Sequence, residues 1–296
     1  MNDLQRADPT RPRERAQDFR ESIRVRHQAM TDAWRERWRE EASADGRPAP
    51  TFLVGFPRSG TTLLDTMLMG HPKIEVLEEE PTLNAAEALL PNTSELPTLD
   101  DELIRRARDA YFRTAASLVP MNSGNLLIDK NPLSMNLLPI IRRLFPVARL
   151  ILAIRHPCDV VLSCFMANFK LNAGMSSFLG LDTAAELYDL SFRQFERAQE
   201  LFQLPMHTVI YENVVADRER ELRSLFEFLG LDWSDEVLDH QSTAHGRGRI
   251  KTASYAQVVE PIYTRSAGRW RHYRKHLEPI FPVLQPWIDK FGYDLR

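Results

Sequence analysis

The sequence predicts an α/β fold in which a parallel sheet of about five strands carries helices on both faces. Short apolar segments of strand length alternate with helical segments from Thr51 to the C-terminus. The strand segments, of which Ala148–Ile154 is the most apolar, are almost continuously hydrophobic. Such runs are typical of strands that are covered on both faces, whereas a half-exposed strand alternates apolar and polar residues.

The first 50 residues predict a helical extension and a linker. Between about Arg13 and Glu41, apolar residues recur at helical spacing among charged ones. These are Phe19, Ile23, Met30, Trp34 and Trp38. We expect one amphipathic helix that docks on the main domain, or that offers a site for a protein partner or for self-association. Gly46, Pro48 and Pro50 end it and lead into residues 51–296, the predicted main domain.

Strands and helices of the main domain follow from their apolar patterns and from the turn residues between them. The strands are predicted after Thr51 and at Ile74–Leu77, Asn125–Asp129, Ala148–Ile154 and His207–Tyr211. The helices are predicted after Gly60, twice within residues 82–124, and at Ser134–Phe145, Pro157 to about Phe169, Ala184–Phe202, Arg218–Leu229 and Trp270–Phe291. Residues 171–182 and 240–255 are polar or glycine-containing and are expected to be loops.

Composition narrows the function classes. The 296 residues carry a formal charge of −3, which gives no reason to expect nucleic-acid binding. No apolar run approaches the ~20 residues of a membrane span, and the Arg-rich N-terminus does not read as a secretory signal. Cys158 and Cys164 predict neither a disulfide nor a metal site. We therefore expect a cytoplasmic protein with no membrane span and no metal.

The most informative segment joins the first strand to the first helix of the main domain. From Gly55 to Gly60 and Thr61-Thr62 it follows the nucleotide-binding P-loop pattern GxxxxGK(S/T), but Thr61 stands where that pattern has its Lys. Arg58 is the only cation of the loop. A glycine-containing turn at a helix N-terminus suits a phosphate, whereas ordinary ATP chemistry needs the missing Lys.

Each predicted strand is followed by a charged or hydroxyl-bearing side chain. In a parallel sheet the carboxyl ends of the strands lie along one edge, where ligands bind. We therefore expect the polar residues that follow the five strands to converge on one site. They are Arg58, Glu78 and Glu79, Lys130, Arg155, and Tyr211 with Glu212.

In combination these segments resemble the sulfotransferases that use 3′-phosphoadenosine-5′-phosphosulfate (PAPS), above all the bacterial domains found behind TPR repeats and the protein-tyrosine sulfotransferases. The loop Pro57–Thr62 looks like the family's 5′-phosphosulfate loop. The segment from Arg155 to Ser163 looks like its 3′-phosphate site, and Ser254–Trp270 is similar to its C-terminal PAPS-binding segment. The resemblance implies a P-loop-containing, nucleoside-kinase-like sheet, and PAPS as co-substrate without a metal.

The resemblance also implies roles for individual residues. Glu79 is the general base, with Glu78 as the alternative, while Lys130, Ser254 and Arg58 act at the transferred group or the leaving phosphate. The expected PAPS-binding residues are Arg58, Ser59, Gly60, Thr61, Thr62, Arg155, Ser163, Tyr211, Gln257 and Arg269. Residues of about 80–124 form a helical insertion that shapes the acceptor site.

Some positions depart from the family pattern. Pro81 stands where the tyrosine-modifying enzymes have an Arg that holds acidic acceptors, Glu260 replaces a Lys, and no TPR repeat is present. The expected acceptor is a hydroxyl of a small molecule or of a peptide tyrosine. Two other functions compete with a sulfotransferase: a P-loop kinase or NTPase, and a non-catalytic protein of the same fold that binds a partner.

Overall fold

The structure, a computed structural model, describes residues 8–39, 45–121, 124–246 and 267–296, together with Asn2 and Gln5. Five parallel strands form one sheet in the order β2-β3-β1-β4-β5, which confirms the predicted fold class. The strands are β1 Thr51–Gly55, β2 Ile74–Glu78, β3 Leu126–Lys130, β4 Arg149–Ile154 and β5 Met206–Ile210.

Helices precede, connect and follow the strands. Those up to β4 are α1 Pro12–Ala29, α2 Asp32–Glu36, α3 Thr61–Leu68, α4 Thr82–Glu87, α5 Asp101–Ala116 and α6 Leu138–Leu144. Those after β4 are α7 Pro157–Met166, α8 Leu181–Phe202, α9 Tyr211–Ala216, α10 Arg218–Leu229, α11 His240–Gly246, α12 Arg274–Leu277 and α13 Phe281–Lys290. Short 3₁₀ helices lie at Thr93–Thr98, Pro132–Leu137, Met175–Leu179, Asp235–Leu238, Arg269–Tyr273 and Glu278–Ile280.

Successive residues of the central strand β1 pack on opposite faces of the sheet. Phe52 and Val54 belong to a large core that includes the helices α1, α5, α6 and α8. Leu53 belongs to a second core with α3 and α10. Because side chains alternate along a strand, an all-apolar strand requires helices on both faces.

The register of the sheet brings the carboxyl ends of its strands together. Leu53 of β1 and Glu78 of β2 both pair with Lys130 at the end of β3. On the other side of β1, Gly55 pairs with Ala153 near the end of β4. Residues that follow β1, β2, β3 and β4 therefore lie along one edge of the sheet.

The N-terminal segment is part of the main core. The rings of Trp34, Trp38 and Phe202 contact one another, with centroids 4.6–5.8 Å apart. The prediction of a single helix is wrong, because α1 ends before Met30 and α2 begins at Asp32. The Thr31 side chain accepts a hydrogen bond from the Trp34 N–H, and this N-cap starts a new helix where the apolar spacing alone suggested continuity.

Two segments predicted as loops contain packed helices. In residues 171–182, the 3₁₀ helix Met175–Leu179 buries Phe178, which contacts Phe56. In residues 240–255, α11 occupies His240–Gly246 and buries Ala244. The Asp239 carboxylate accepts a hydrogen bond from the Ser242 N–H, and this cap stabilises the start of a helix that apolar periodicity does not reveal.

Among the described residues, no helix combines the length and the apolar character that a membrane span requires.

Candidate active site

The loop between β1 and α3 has the conformation of an anion-binding turn. Gly60 caps α3 with a φ of 92°, and Arg58 has a φ of 73°. Thr61 and Thr62 form the first helical turn, which contains no acidic residue. The N–H groups and dipole of this helix end therefore favour an anion. The Ser59 N–H donates to the Phe56 carbonyl at 3.2 Å, so this amide closes the turn and does not face a ligand.

Five of the predicted donor-binding residues form one cluster around this loop. Arg58 Nε donates to Ser163 Oγ at 3.0 Å, and Arg155 Nη1 donates to the Arg58 carbonyl at 3.1 Å. The Arg155 guanidinium lies 4.7 Å from the centre of the Tyr211 ring. A Cβ atom on Gly60 would lie only 2.5 Å from Tyr211 Cδ2. Glycine therefore lets the loop approach the aromatic ring.

The second cluster surrounds Lys130 at the end of β3. Its ammonium lies 2.9 Å from Glu79 Oε1, 3.1 Å from Asp65 Oδ2 and 3.6 Å from Glu78 Oε1. Burial disfavours the charged ammonium, but the three carboxylates outweigh it and raise the pKa of Lys130 above its ordinary value. Lys130 is therefore a charged group at neutral pH. Asp65 lies on α3, so this ion pair joins the Lys130 cluster to the anion-binding loop.

Of the two candidate bases, Glu79 is the more accessible. Its side chain is 35% exposed, against 13% for Glu78. The Glu79 N–H donates to the Lys130 carbonyl at 2.7 Å, and its φ is 52°. Among the described residues only four non-glycine residues have positive φ, and two of them are Arg58 and Glu79. Such strained conformations concentrate at functional sites, which makes both residues candidates for function.

Asp129 connects the sheet to the insertion of residues 80–124. Its Oδ2 accepts hydrogen bonds from Thr82 Oγ1 at 2.7 Å and from the Tyr111 hydroxyl at 2.8 Å. Burial raises its pKa to about 6, against the lowering effect of these two hydrogen bonds. Since Asp129 precedes Lys130, it fixes α4 and α5 next to the Lys130 cluster.

The described part of the predicted C-terminal segment is fixed to α7, the helix that carries Ser163. The Asp159 carboxylate accepts hydrogen bonds from the Gly268 N–H at 2.7 Å and the Trp270 N–H at 2.8 Å. Arg269, which lies between them, is exposed. Ser254, Gln257 and Glu260 lie outside the described residues.

Neither His71, which precedes β2 and lies at the amino end of that strand, nor His156, whose two ring nitrogens contact backbone groups, is available as a base. His71 Nε2 and Nδ1 lie 3.0 and 3.1 Å from the Asp232 carbonyl and the Lys73 N–H. His156 Nε2 lies 3.0 Å from the Asp294 carbonyl, and its Nδ1 accepts from the Cys158 N–H.

Sequence reasoning missed Asp65 and Asp159. Both carried a signal, because each is a carboxylate within a helix that otherwise presents mainly apolar and hydroxyl-bearing residues. A charge at such a position is buried only when it is paired. The partners could not be read from the sequence, since Lys130 and the Gly268 region are distant along the chain.

Comparisons with known proteins agree with this geometry. Residues 50–235, more than half of the chain, match the model of the sulfotransferase family. Protein-tyrosine sulfotransferase 1 of Danio rerio is 27% identical over 82% of this chain and 72% of its own length. An uncharacterized protein of Aquifex aeolicus is 29% identical over 85% of this chain, which spans only 34% of that longer protein.

Solved structures show the same fold. The sulfotransferase domain of the Synechococcus olefin synthase aligns with a TM-score of 0.59 at 23% identity and covers 87% of this chain and 100% of its own. A mouse sulfotransferase complexed with PAP aligns with a TM-score of 0.50 at 16% identity, over 80% of this chain and 84% of its own. With the family match over residues 50–235, the anion-binding loop and the Lys130 cluster identify the chain as a member of the sulfotransferase family of enzymes.

Proposed function

We propose that this chain transfers the sulfuryl group of PAPS to a hydroxyl of an acceptor, with Glu79 as general base. One observation carries the proposal. A buried, charged lysine lies against a strained glutamate at the end of β3, and Asp65 ties this pair to an anion-binding helix terminus. Transfer of an SO₃ unit needs these three parts: an anion site for the leaving phosphate, a cation at the transferred group and a base at the acceptor.

The residues present fit a donor with two phosphate groups. Arg58 and the start of α3 are the proposed site of the 5′-phosphosulfate, and Arg155 with Ser163 that of the 3′-phosphate. Tyr211 supplies an aromatic surface between them, beside the space that a Cβ on Gly60 would fill. Thr61, Thr62 and Arg269 are proposed as further donor contacts, and the roles of Ser254 and Gln257 rest on the family resemblance alone.

The donor supplies the sulfuryl group, which the acceptor oxygen takes up as the sulfur–oxygen bond to the 5′-phosphate breaks. Glu79 removes the proton of the acceptor hydroxyl. Lys130 stabilises negative charge on the sulfuryl oxygens, and its raised pKa keeps it charged there. Arg58 and the helix N-terminus stabilise the charge that develops on the leaving phosphate.

Two relatives support the choice of donor and acceptor. The mouse structure is a sulfotransferase complexed with PAP, and the Danio rerio relative is a protein-tyrosine sulfotransferase. The proposed acceptor is accordingly a small-molecule hydroxyl or a peptide tyrosine. Pro81, which occupies the position of an acceptor-holding Arg in the resemblance, disfavours acidic peptides.

The competing functions fit the geometry less well. Thr61 occupies the position of the P-loop Lys, and Asp129, the nearest candidate for a Mg²⁺-binding Asp after a strand, is bonded to Thr82 and Tyr111. A non-catalytic partner-binding protein would leave α1 for its partner, but Ile23 of α1 is part of this chain's own core.

The test is a screen of hydroxyl acceptors with PAPS radiolabelled on sulfur. We expect label in at least one neutral alcohol or phenol class, with equimolar PAP released and no dependence on added Mg²⁺. Mg²⁺-dependent ATP turnover, with no transfer from PAPS to any acceptor, would favour a kinase or NTPase instead.

A further inference from the structure

A cavity of about 280 Å³ lies beside the end of β3. Asn131, the residue after Lys130, lines it, and so do Asn84 and Glu87 of α4, the helix that Asp129 fixes through Thr82. Because Asn131 directly follows Lys130, the cavity lies beside the strand end that carries the Lys130 cluster, which makes it the candidate for the acceptor side of the reaction centre. Its volume is near the lower limit of small-ligand sites, which span roughly 300–1,000 Å³.

Helix α1 forms one wall of this cavity through Phe19, Ser22, Ile23 and Arg26. The Phe19 ring lies against Gly174, which also lines the cavity, because a Cβ added to Gly174 would lie 3.3 Å from Phe19 Cε1. Ile23 is 1% exposed and fixes the helix to the core. These residues precede the segment 50–235 that matches the family, so this wall is supplied by the extension and not by the matched domain.

The charges that line the cavity cancel. Arg26 Nη2 lies 2.6 Å from Glu87 Oε1, and the two side chains are 25% and 26% exposed. The other lining groups are neutral amides, hydroxyls and apolar side chains, among them Leu133, Leu137 and Met175. A charged acceptor would lose water there without gaining an unpaired counter-charge.

We propose that the N-terminal helix is the specificity wall of the acceptor site, and that the cavity takes an uncharged acceptor of about the size of a phenol. The Arg26–Glu87 pair keeps the wall electrically neutral and joins α1 to α4. This inference rests on the proposed function, since it assigns the acceptor side of the same reaction centre.

Three phenols that differ only in the para substituent provide the test: 4-ethylphenol is neutral, tyramine is a cation and 4-hydroxyphenylacetate is an anion at pH 7. Binding is measured by saturation-transfer NMR and titration on the full chain saturated with PAP, so that no turnover is needed. We expect 4-ethylphenol to bind at least about threefold more tightly than either charged analogue.

Two charge variants should change this preference in opposite directions. Glu87→Gln leaves Arg26 without its carboxylate partner. This variant should therefore raise the affinity for 4-hydroxyphenylacetate, relative to that for 4-ethylphenol, by about threefold or more. Arg26→Gln should raise the relative affinity for tyramine by a similar factor. Phe19→Ala should weaken all three phenols and raise the KM of any acceptor found, with kcat little changed.

Matched controls separate the wall from general stability. Asp32→Asn breaks the ion pair between Asp32 and Arg197, which lies outside the cavity and has the same length, 2.6 Å, as the pair between Arg26 and Glu87. Val25→Ala alters an exposed residue of α1. Neither should change the order of the three phenols. A purely structural role of Arg26 and Glu87 would change all three affinities together.

Failure of this inference is distinct from failure of the proposed function. If PAP raises the melting temperature but 4-ethylphenol does not bind at millimolar concentration, or if the charge variants do not shift the preference, the specificity wall is wrong while PAPS-dependent transfer stands. If PAP itself has no effect, the proposed function fails first.

Discussion

At the residue scale, the central contact is the ion pair between Lys130 and Glu79, whose atoms lie 2.9 Å apart. A lysine enclosed by Asp65, Glu78 and Glu79 is held charged, and Glu79 is the more exposed of the two glutamates. The same contact positions the proposed base beside the cation that we propose to act on the transferred group.

Replacement of the proposed base should separate binding from transfer. We expect Glu79→Gln to lower kcat by about 10²-fold or more, because general-base catalysis contributes that much, while PAP still raises the melting temperature. Glu75→Gln, on the same strand β2, is the control and should retain transfer. Retained activity in Glu79→Gln with loss in Glu78→Gln would move the role to Glu78.

Asp129 gives a prediction for pH dependence. Its pKa is about 6 in the folded protein and 3.8 ordinarily, so the folded state binds more protons between these values. Stability from this group therefore falls as pH rises from about 4 to about 6, by about 3 kcal/mol, and is constant above. Asp129→Asn should remove this fall.

Denaturant titrations of both proteins at several pH values measure the difference. The free energy of unfolding of the wild type should decrease relative to Asp129→Asn between pH 4 and 6. A constant difference across that range would show that Asp129 does not titrate as described.

Sequence reasoning located the polar residues at the strand ends but not their partners. Lys130 and Arg155 were predictable because Lys130 ends an apolar strand and Arg155 directly follows one, and Arg58 because it is the cation of the loop that begins at the end of β1. The contacts of Asp159 with the Gly268 region depend on how α7 packs, which no local pattern encodes.

At the element scale, the loop between β1 and α3 depends on a glycine for two reasons. Gly60 has a φ of 92°, and its Cα faces Tyr211 with no room for a Cβ. Gly124 has a similar φ of 100°, but a Cβ there would meet no atom of the described residues within 4 Å beyond its chain neighbours. A comparison of the same substitution at the two glycines therefore distinguishes the effect of backbone strain from that of the contact with the Tyr211 ring.

Substitution of Gly60 should weaken donor binding more than it weakens the fold. We expect Gly60→Ala to lower the affinity for PAP by at least about tenfold, because the Tyr211 ring must move, whereas Gly124→Ala should leave it unchanged. Both variants should lose about 1 kcal/mol of stability or more from the positive φ. Isothermal titration calorimetry measures the affinity of each variant for PAP. Equal affinities in the two variants would contradict the proposal that the Tyr211 ring contributes to donor binding.

Elements with an uninterrupted pattern were predicted to within a residue or so. The helix Arg218–Leu229, with its Asp217 cap, has the predicted bounds, and β4 begins one residue later than expected. Some errors occur where capping competes with periodicity, as at Thr31, or where a short helix is stabilised by its cap, as after Asp239. The predictions of one helix at Ser134–Phe145 and one at Trp270–Phe291 are also wrong, because each of these segments is divided into α and 3₁₀ helices.

At the scale of the whole molecule, the N-terminal extension and the family-matched domain share one hydrophobic core. Trp34 is 2% exposed, and its Nε1 donates to the Thr93 carbonyl at 2.8 Å. Its ring lies 5.0 Å from Trp38 and 5.8 Å from Phe202 of α8. The extension therefore contributes to the stability of the domain that carries the active site.

Truncation of this anchor should destabilise the entire chain. We expect Trp34→Ala to lower the free energy of unfolding by about 3–5 kcal/mol, as for other buried aromatic residues. Val25→Ala, at an exposed position of the same extension, should change it by less than about 0.5 kcal/mol. If Trp34→Ala left the unfolding transition unchanged, the extension would not be part of the cooperative core.

In the proposed function, the cluster of Arg58, Arg155 and Ser163 binds PAPS and its product PAP. The most direct measurement is the melting temperature of the full chain with PAP, compared with ATP and Mg²⁺ at equal concentration. At 100 times its Kd, PAP should raise the melting temperature by about 5 °C, whereas ATP with Mg²⁺ should raise it much less. Arg58→Glu or Arg155→Glu should abolish the effect of PAP. No shift with PAP in the intact wild-type protein would contradict this claim.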